Sequence, residues 1–409
     1  MPCSKKPCSK KHSLGNRIDD KRRGVPLSCL HRNVWMRLCS MMFVISLLQS
    51  ADSLVAQDSN EDQWPVYRGS SLSTGVSRSP LPKELDVAWK FADSIGPIEA
   101  TPVVLDGVVY VGDVDGNFVA IDLQSGKLKW RVKFESGFIS SAAVDSFAVY
   151  VGDYDGKFRA LSKEDGAVKW EFETQGEIDS GAAFYKDLVL TTSQDGTLYA
   201  LNTKDGTLKW KYETGDQLRC TPAVVENRTF LGGCDGKLHV VNLDSGTAYG
   251  EPFALGNPTG STPAIVGERG FLSTYGGQVL AFRWKDLTQL WLFQDAKLAQ
   301  EFAVSAAATE STIVAVAKNR RVVAIDATSG KVLWDQTLKK RSDVAPVISD
   351  SRIWIAATDS RLYCLDLKNG EELWRYEFSG PLRSAPAIVS GKLILGTDKE
   401  GVVCFAAKP

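Results

Sequence analysis

One eleven-residue string recurs along this chain at intervals of about 40 residues, and it limits the fold more than any other feature. Residues 120–130 read AIDLQSGKLKW, 160–170 ALSKEDGAVKW, 200–210 ALNTKDGTLKW, 324–334 AIDATSGKVLW and 364–374 CLDLKNGEELW. Two copies have drifted. Residues 240–250 read VVNLDSGTAYG, with Gly250 where tryptophan is due, and 281–291 read AFRWKDLTQLW. A unit this short cannot bury an apolar face alone, so successive copies must stack on one another.

The residues between the strings define the unit. In the first copy, Thr101-Pro102-Val103-Val104-Leu105 is a short apolar run closed by the turn pair Asp106-Gly107. Val108 to Gly112 is β-branched and aromatic and reads as a strand. Asp113 to Gly116 is a turn, and Phe118 to Ile121 a third strand. Residues 127–134 alternate polar and apolar, as in an outer strand with one wet face. Each repeat is therefore four short antiparallel strands, A to D. Face-to-face stacking of such sheets around an axis makes a β-propeller. The glycine of the C–D turn suits a left-handed backbone. The tryptophan supplies the bulk where one blade meets the next.

Counting the units sets the ring size. Seven complete units run from residue 100 to about 378. An eighth begins near Ser384 and stops at Val402-Val403-Cys404-Phe405, without its D strand. One orphan D strand, residues 86–91 (DVAWKF), lies at the other end. The expected fold is thus an all-β, eight-bladed β-propeller of four-stranded antiparallel blades, closed by the N-terminal strand. Closure removes the free sheet edges that would otherwise invite aggregation. Trp89, Trp130, Trp170, Trp210, Trp291, Trp334 and Trp374 are the expected blade-docking tryptophans, with Trp89 as the clasp.

The A-h-D-x-x-[ST]-G-x-x-x-W string resembles the tryptophan-docking motif of the pyrroloquinoline-quinone-like (PQQ-like) repeat propellers, and of their BamB-like members in particular. The resemblance covers roughly residues 86–405. Trp64-Pro65-Val66-Tyr67-Arg68-Gly69 with Gly75-Val76-Ser77 is also similar to a leader that precedes such propellers in planctomycete-type proteins. The superfamily holds both quinone-dependent alcohol dehydrogenases and a scaffold subunit of a β-barrel assembly machine, so it implies the fold more strongly than the function. Its enzymes place the quinone on a tryptophan, beneath adjacent cysteines, with calcium held by Glu and Asn and an aspartate as base. No two cysteines are adjacent here, and every blade stays near the basic repeat length. PQQ is therefore conceivable as cofactor but unsupported by these residues, and none is expected.

The first 56 residues differ from the rest. Ten basic groups precede an apolar stretch, residues 38–48, and small residues at 51–56 offer cleavage sites. This reads as a signal peptide with a long basic n-region, and Met36 would give it an ordinary length. Eleven apolar residues are too few for a stable span, although an uncleaved anchor is the alternative. No lipobox cysteine follows. Residues 57–85 are expected to be an extension before the ring, and the protein an exported one, periplasmic or secreted. The whole chain has 48 basic and 49 acidic residues. Losing ten basic and three acidic groups with residues 1–56 leaves a net charge of −8, which disfavours nucleic acid as a partner. Four of the eight cysteines go with the same segment. Of the others, Cys364 and Cys404 share one repeat position and read as small core residues. Cys220 starts strand A of its blade and Cys234 ends strand B, a placement that admits a disulfide in an oxidising compartment.

Catalytic signatures are missing. His239 is the lone histidine after residue 56 and reads as a strand residue, not a metal ligand. No nucleophile elbow, phosphate loop or haem motif occurs. Asp113-x-Asp115-Gly116 resembles the start of a calcium loop, but its spacing is wrong and a turn role is expected. What remains is surface. The B–C turns and D–A connections should crowd one rim, where binding residues usually sit. Leu218-Arg219 and Leu382-Arg383 each set an apolar group and a guanidinium just before strand A. By the resemblance, a Leu/Arg-bearing loop is a partner contact. These four residues are the candidate partner surface; the alternative is that they are ordinary solvated loops. The expected function is an exported, monomeric, non-catalytic protein-interaction or scaffold propeller with a protein partner on one rim. The alternatives are a PQQ-dependent oxidoreductase and a glycan- or small-ligand-binding propeller that would use aromatics such as Phe138, Phe302 or Tyr154.

Overall fold

The computed structural model describes residues 63–294 and 301–408. Residues 1–56, expected to be a signal peptide, lie outside the described residues, as do residues 295–300 between the fifth and sixth blades. Eight antiparallel sheets follow one another in sequence order. The first blade runs Val103–Leu105, Val108–Gly112, Asn117–Asp122, Leu128–Lys133. The next six repeat that order up to Val347–Glu377. The fourth blade has a broken outer strand, with Thr247–Ala248 and Phe253–Ala254 pairing separately along Lys237–Asn242. The eighth blade is Ala387–Val389, Lys392–Gly396 and Val402–Ala407, completed by Leu85–Phe91. That N-terminal strand pairs antiparallel with the C-terminal one, Trp89 opposite Cys404. The ring is an eight-bladed β-propeller closed between the two ends of its chain.

The repeated string is a lock between blades. The ring nitrogen of each of five tryptophans donates to a C–D turn carbonyl of the next blade: Trp89 to Leu123 (3.0 Å), Trp130 to Lys163 (2.8 Å), Trp170 to Thr203 (3.0 Å), Trp291 to Ala327 (3.1 Å) and Trp334 to Leu367 (2.9 Å). The motif glycine is where that indole lands. A Cβ on Gly126 would sit 2.7 Å from the Trp89 ring, and the residue also holds a φ of +69°. Six motif glycines face the preceding tryptophan in this way, so close approach, and not turn geometry alone, demands glycine there.

The drifted copies are complementary. Gly250 stands in place of the fourth blade's tryptophan, and the next blade's turn carries Leu287, at φ +59°, where its sisters carry glycine. With no indole arriving, the seat is filled from its own side. Leu287 packs with buried Trp284, whose ring nitrogen donates to the Gly267 carbonyl (2.9 Å).

The segment 64–79 is no external extension. In an open ring the inner strands would leave main-chain groups unpaired along the axis. Here the segment passes from one inner strand to the next and covers them. Trp64 and Val104 exchange both main-chain bonds at 2.8 Å. The amides of Val144, Val224, Ile265, Ala308 and Ile348 then donate to the carbonyls of Pro65, Ser71, Leu72, Thr74 and Gly75, at 2.8–2.9 Å. Val76–Ser77 adds a short parallel strand to the seventh blade, and Ser77 Oγ donates to the Ile388 carbonyl of the eighth (2.8 Å). At the third blade Tyr67 passes so close to Gly181 that a Cβ there would lie 2.8 Å from its own Cβ. The strap turns on Arg68, which is buried, has φ +62°, and donates to the carbonyls of Ser73 (2.8 Å), Thr74 (3.2 Å) and Ala306 (2.5 Å). Gly75 lies directly under that guanidinium, where any Cβ would collide with it at 2.2 Å.

Candidate functional site

The D–A connections build one end of the axis from a three-residue pattern. The middle residue of each turns inward: Ile98, Phe138, Ile178, Leu218 and Leu382 are fully buried. Several rest on the glycine that ends strand B, as Phe138 does on Gly112 and Ile178 on Gly152. The residue after it faces the axis. Glu99, Ile139, Asp179, Arg219, Asp343 and Arg383 therefore ring the mouth of an axial pocket of about 210 Å³. Deeper, Thr101, Ser141, Thr221, Thr262 and Ser305 line the wall, and Tyr67 of the strap belongs to the same pocket. The hydroxyls tie blade to blade: the Gly181 amide donates to Thr221 Oγ1 (2.9 Å), Thr221 to Thr262 Oγ1 (2.9 Å) and Thr262 to Ser305 Oγ (2.8 Å).

This pattern corrects the expected partner surface. Leu218 and Leu382 present nothing to solvent and belong to the core. They occupy the same repeat position as Phe138 and Ile178, and comparison at that period is the signal that identifies them. Arg219 and Arg383 are exposed, but both are engaged. Arg219 pairs with Asp179 (3.3 Å) and Arg383 with Asp398 (2.8 Å) and Glu99 (3.6 Å). Asp179 has one oxygen without a hydrogen-bond partner. Burial pushes its carboxyl up to about 6, against the opposing pull of Arg219.

The remaining candidates also find places. Phe138 and Phe302 are core residues, packed on Phe118 and Phe293; of the three aromatics considered for a ligand, only Tyr154 is exposed. Cys220 and Cys234 are free thiols. The end of strand B meets the chain upstream of Cys220: the Cys234 amide donates to the Gln217 carbonyl (3.1 Å), so the two cysteines are out of register. Asp113 accepts from the amides of Asp115 (3.0 Å), Asn117 (2.7 Å) and Gly96 (2.6 Å) and from Asn117 Nδ2 (2.6 Å). Those donors occupy its carboxylate as a turn residue. His239 is buried between Asp235 (2.9 Å) and the Tyr212 hydroxyl (3.1 Å). Its repeat position is held by Tyr199 on Asp195 (2.7 Å) and by Tyr363 on Asp359 (2.5 Å), so the contact is a recurring turn latch.

The axial pocket is lined by hydroxyls, small residues, the aliphatic Ile139, Val304 and Val344, and ion-paired groups, with Tyr67 the one aromatic ring. It offers no tryptophan slab and no adjacent cysteines. These residues do not fit the quinone site that the sequence resemblance implies.

A family model described as "Outer membrane protein assembly factor BamB" matches residues 53–182, 173–249, 252–342 and 318–408. A curated relative of that name from Yersinia pestis is 44% identical over 54 residues, which is 13% of each chain. The chain thus spans only a small part of that relative's length at this level of identity. Among solved structures, BamB from Moraxella catarrhalis superposes with a TM-score of 0.69 at 18% identity, over 80% of this chain and 98% of that one. A quinohemoprotein alcohol dehydrogenase from Comamonas testosteroni superposes at 0.75 and 13% identity, over 86% and 82%. At these identities the two structures show a shared fold.

Proposed function

Because this chain belongs to the outer membrane protein assembly factor BamB family, we propose that it is an exported, non-catalytic propeller that serves as a protein-interaction module. The observation that carries this reading is the strapped axis. The strap and the hydroxyl ring tie strands from all round the ring to one another, which makes the rim a rigid platform for a partner. The quinoprotein likeness supports the fold alone, and the ion-paired mouth gives no support to oxidoreductase chemistry. No helix among the described residues is long and apolar enough to cross a membrane.

The test is chemical crosslinking in the native cell envelope followed by affinity capture of this chain. A defined protein partner, crosslinked through lysines of the B–C and D–A rim, is the expected result. Capture of the chain alone, together with a quinone-dependent absorbance band after addition of quinone and calcium to purified protein, would replace this reading with the enzymatic one.

A further inference from the structure

The sixth blade breaks the charge pattern of its sisters. The B–C turns of the first four blades and the seventh carry Asp115, Asp155, Asp195, Asp235 and Asp359 at one position. The sixth has Asn319 there, between Lys318 and Arg320. The next position is glycine in the first five blades, at φ between +73° and +94°. In the sixth it is Arg320, held at φ +77°. A long side chain in the left-handed region is a backbone cost that a glycine would avoid. The turn keeps its geometry, with the Arg320 amide bonded to the Ala317 carbonyl (3.0 Å) as in the sister turns. What the substitution adds is charge.

That charge is not isolated. Lys318, Arg320, Lys340, Arg341 and Arg383 line a single groove of about 620 Å³ across the sixth to eighth blades, with Asp343 its one acidic group. Asp343 is taken by Arg341 (2.9 Å). Arg320 donates only to the Lys339 carbonyl (3.4 Å), and Lys340 has no ion-pair partner among the described residues. Two cations are therefore uncompensated on a ring that carries net negative charge once residues 1–56 are set aside. The groove has no aromatic side chain on which a base could stack. Asn319 and Thr358 between them can bond a peptide backbone.

We infer that this groove docks an extended acidic segment of a protein partner. The inference rests on the interaction-module reading and names the surface and the chemistry of what binds there. Arg320 and Lys340 carry the recognition; Lys318, Arg341 and Arg383 are already paired, with Glu301, Asp343 and Asp398, and frame the groove without adding free charge.

Fluorescence anisotropy on the whole exported chain tests it, with a labelled alternating Glu–Ser peptide as probe and a Lys–Ser peptide as control. The acidic peptide should bind, with affinity that falls steeply as salt rises. The Arg320→Gly, Lys340→Glu double variant should lose about tenfold or more in affinity. Its Tm should not fall, because Arg320→Gly restores the residue that the sister turns use. Equal binding of the two peptides, or unchanged affinity in the double variant, overturns the inference. So does stronger binding to phosphatidylglycerol vesicles than to the peptide, which would assign the groove to a lipid surface. A partner crosslinked equally well by the native chain and the double variant overturns the groove while leaving the interaction-module reading intact.

Discussion

Replacing Trp89 by alanine tests ring closure, because this indole is the only docking tryptophan whose strand comes from the far end of the chain. Its ring lies on Gly126 of the first blade, and its nitrogen donates to the Leu123 carbonyl at 3.0 Å. Truncating a fully buried tryptophan costs roughly 3–5 kcal/mol, and the lost hydrogen bond about 1 kcal/mol. Trp89 is only partly buried, which scales down the first figure. The expected loss is about 2–4 kcal/mol. In domains of 150–250 residues each kcal/mol moves Tm by roughly 2–4 °C, and in a larger ring by less, about 1.4 °C, so a fall of about 3–6 °C is expected. Differential scanning calorimetry gives that number. Hydrogen exchange gives the location: Leu85–Phe91 and Val402–Ala407 should lose protection first. Leu373→Ala, at an exposed position in the seventh blade, is the control and should move neither readout. An unmoved Tm for Trp89→Ala, or loss of protection spread evenly over the eight blades, would show that the ring is not closed through this strand.

Other substitutions reach different parts of the structure. Arg68→Met leaves the carbonyls of Ser73 and Ala306 without their Arg68 donor inside the axis, while Thr74 keeps the Ala308 amide, and should cost about 2–4 kcal/mol in chemical denaturation. Gly250 holds φ +79° in the gap of the broken outer strand, so Gly250→Trp should destabilise the ring by about 1 kcal/mol or more in chemical denaturation, and Leu287→Gly should not rescue it in a double-mutant cycle. Asp179 has a folded-state pKa raised to about 6, so the native state holds a proton that the unfolded chain has already released, and stability falls as pH rises from about 4 to 6. Asp179→Asn should flatten that fall, and gain relative to the parent by at most about 3 kcal/mol between pH 4 and pH 8, read from melts across that range.

Blade number, strand order and closure were legible because each blade repeats one local pattern and meets a copy of itself. A period of about 40 residues in turns and alternating strands already specifies that neighbour. The docking role of the tryptophans followed from the same repetition. Other features depended on contacts that repetition does not encode. Leu218 and Leu382 read as surface because they stand in connections beside arginines; only the packing around each connection turns them inward. Cys220 and Cys234 sit at strand ends that pair in outline, but the register there places Gln217, not Cys220, against Cys234.

The repeat by itself determined the ring, its eight blades and the strand that closes it, because these follow from hydrogen-bond and packing patterns confined to neighbouring blades. Tertiary structure decided what fills the axis. Residues 64–79 bond to inner strands spread from Val104 to Ile388, and no local pattern announces contacts so distant in sequence. It also decided the mouth and the basic groove, where groups from several blades converge on one face and their charges either cancel, as at Arg219 and Asp179, or, as at Arg320 and Lys340, do not.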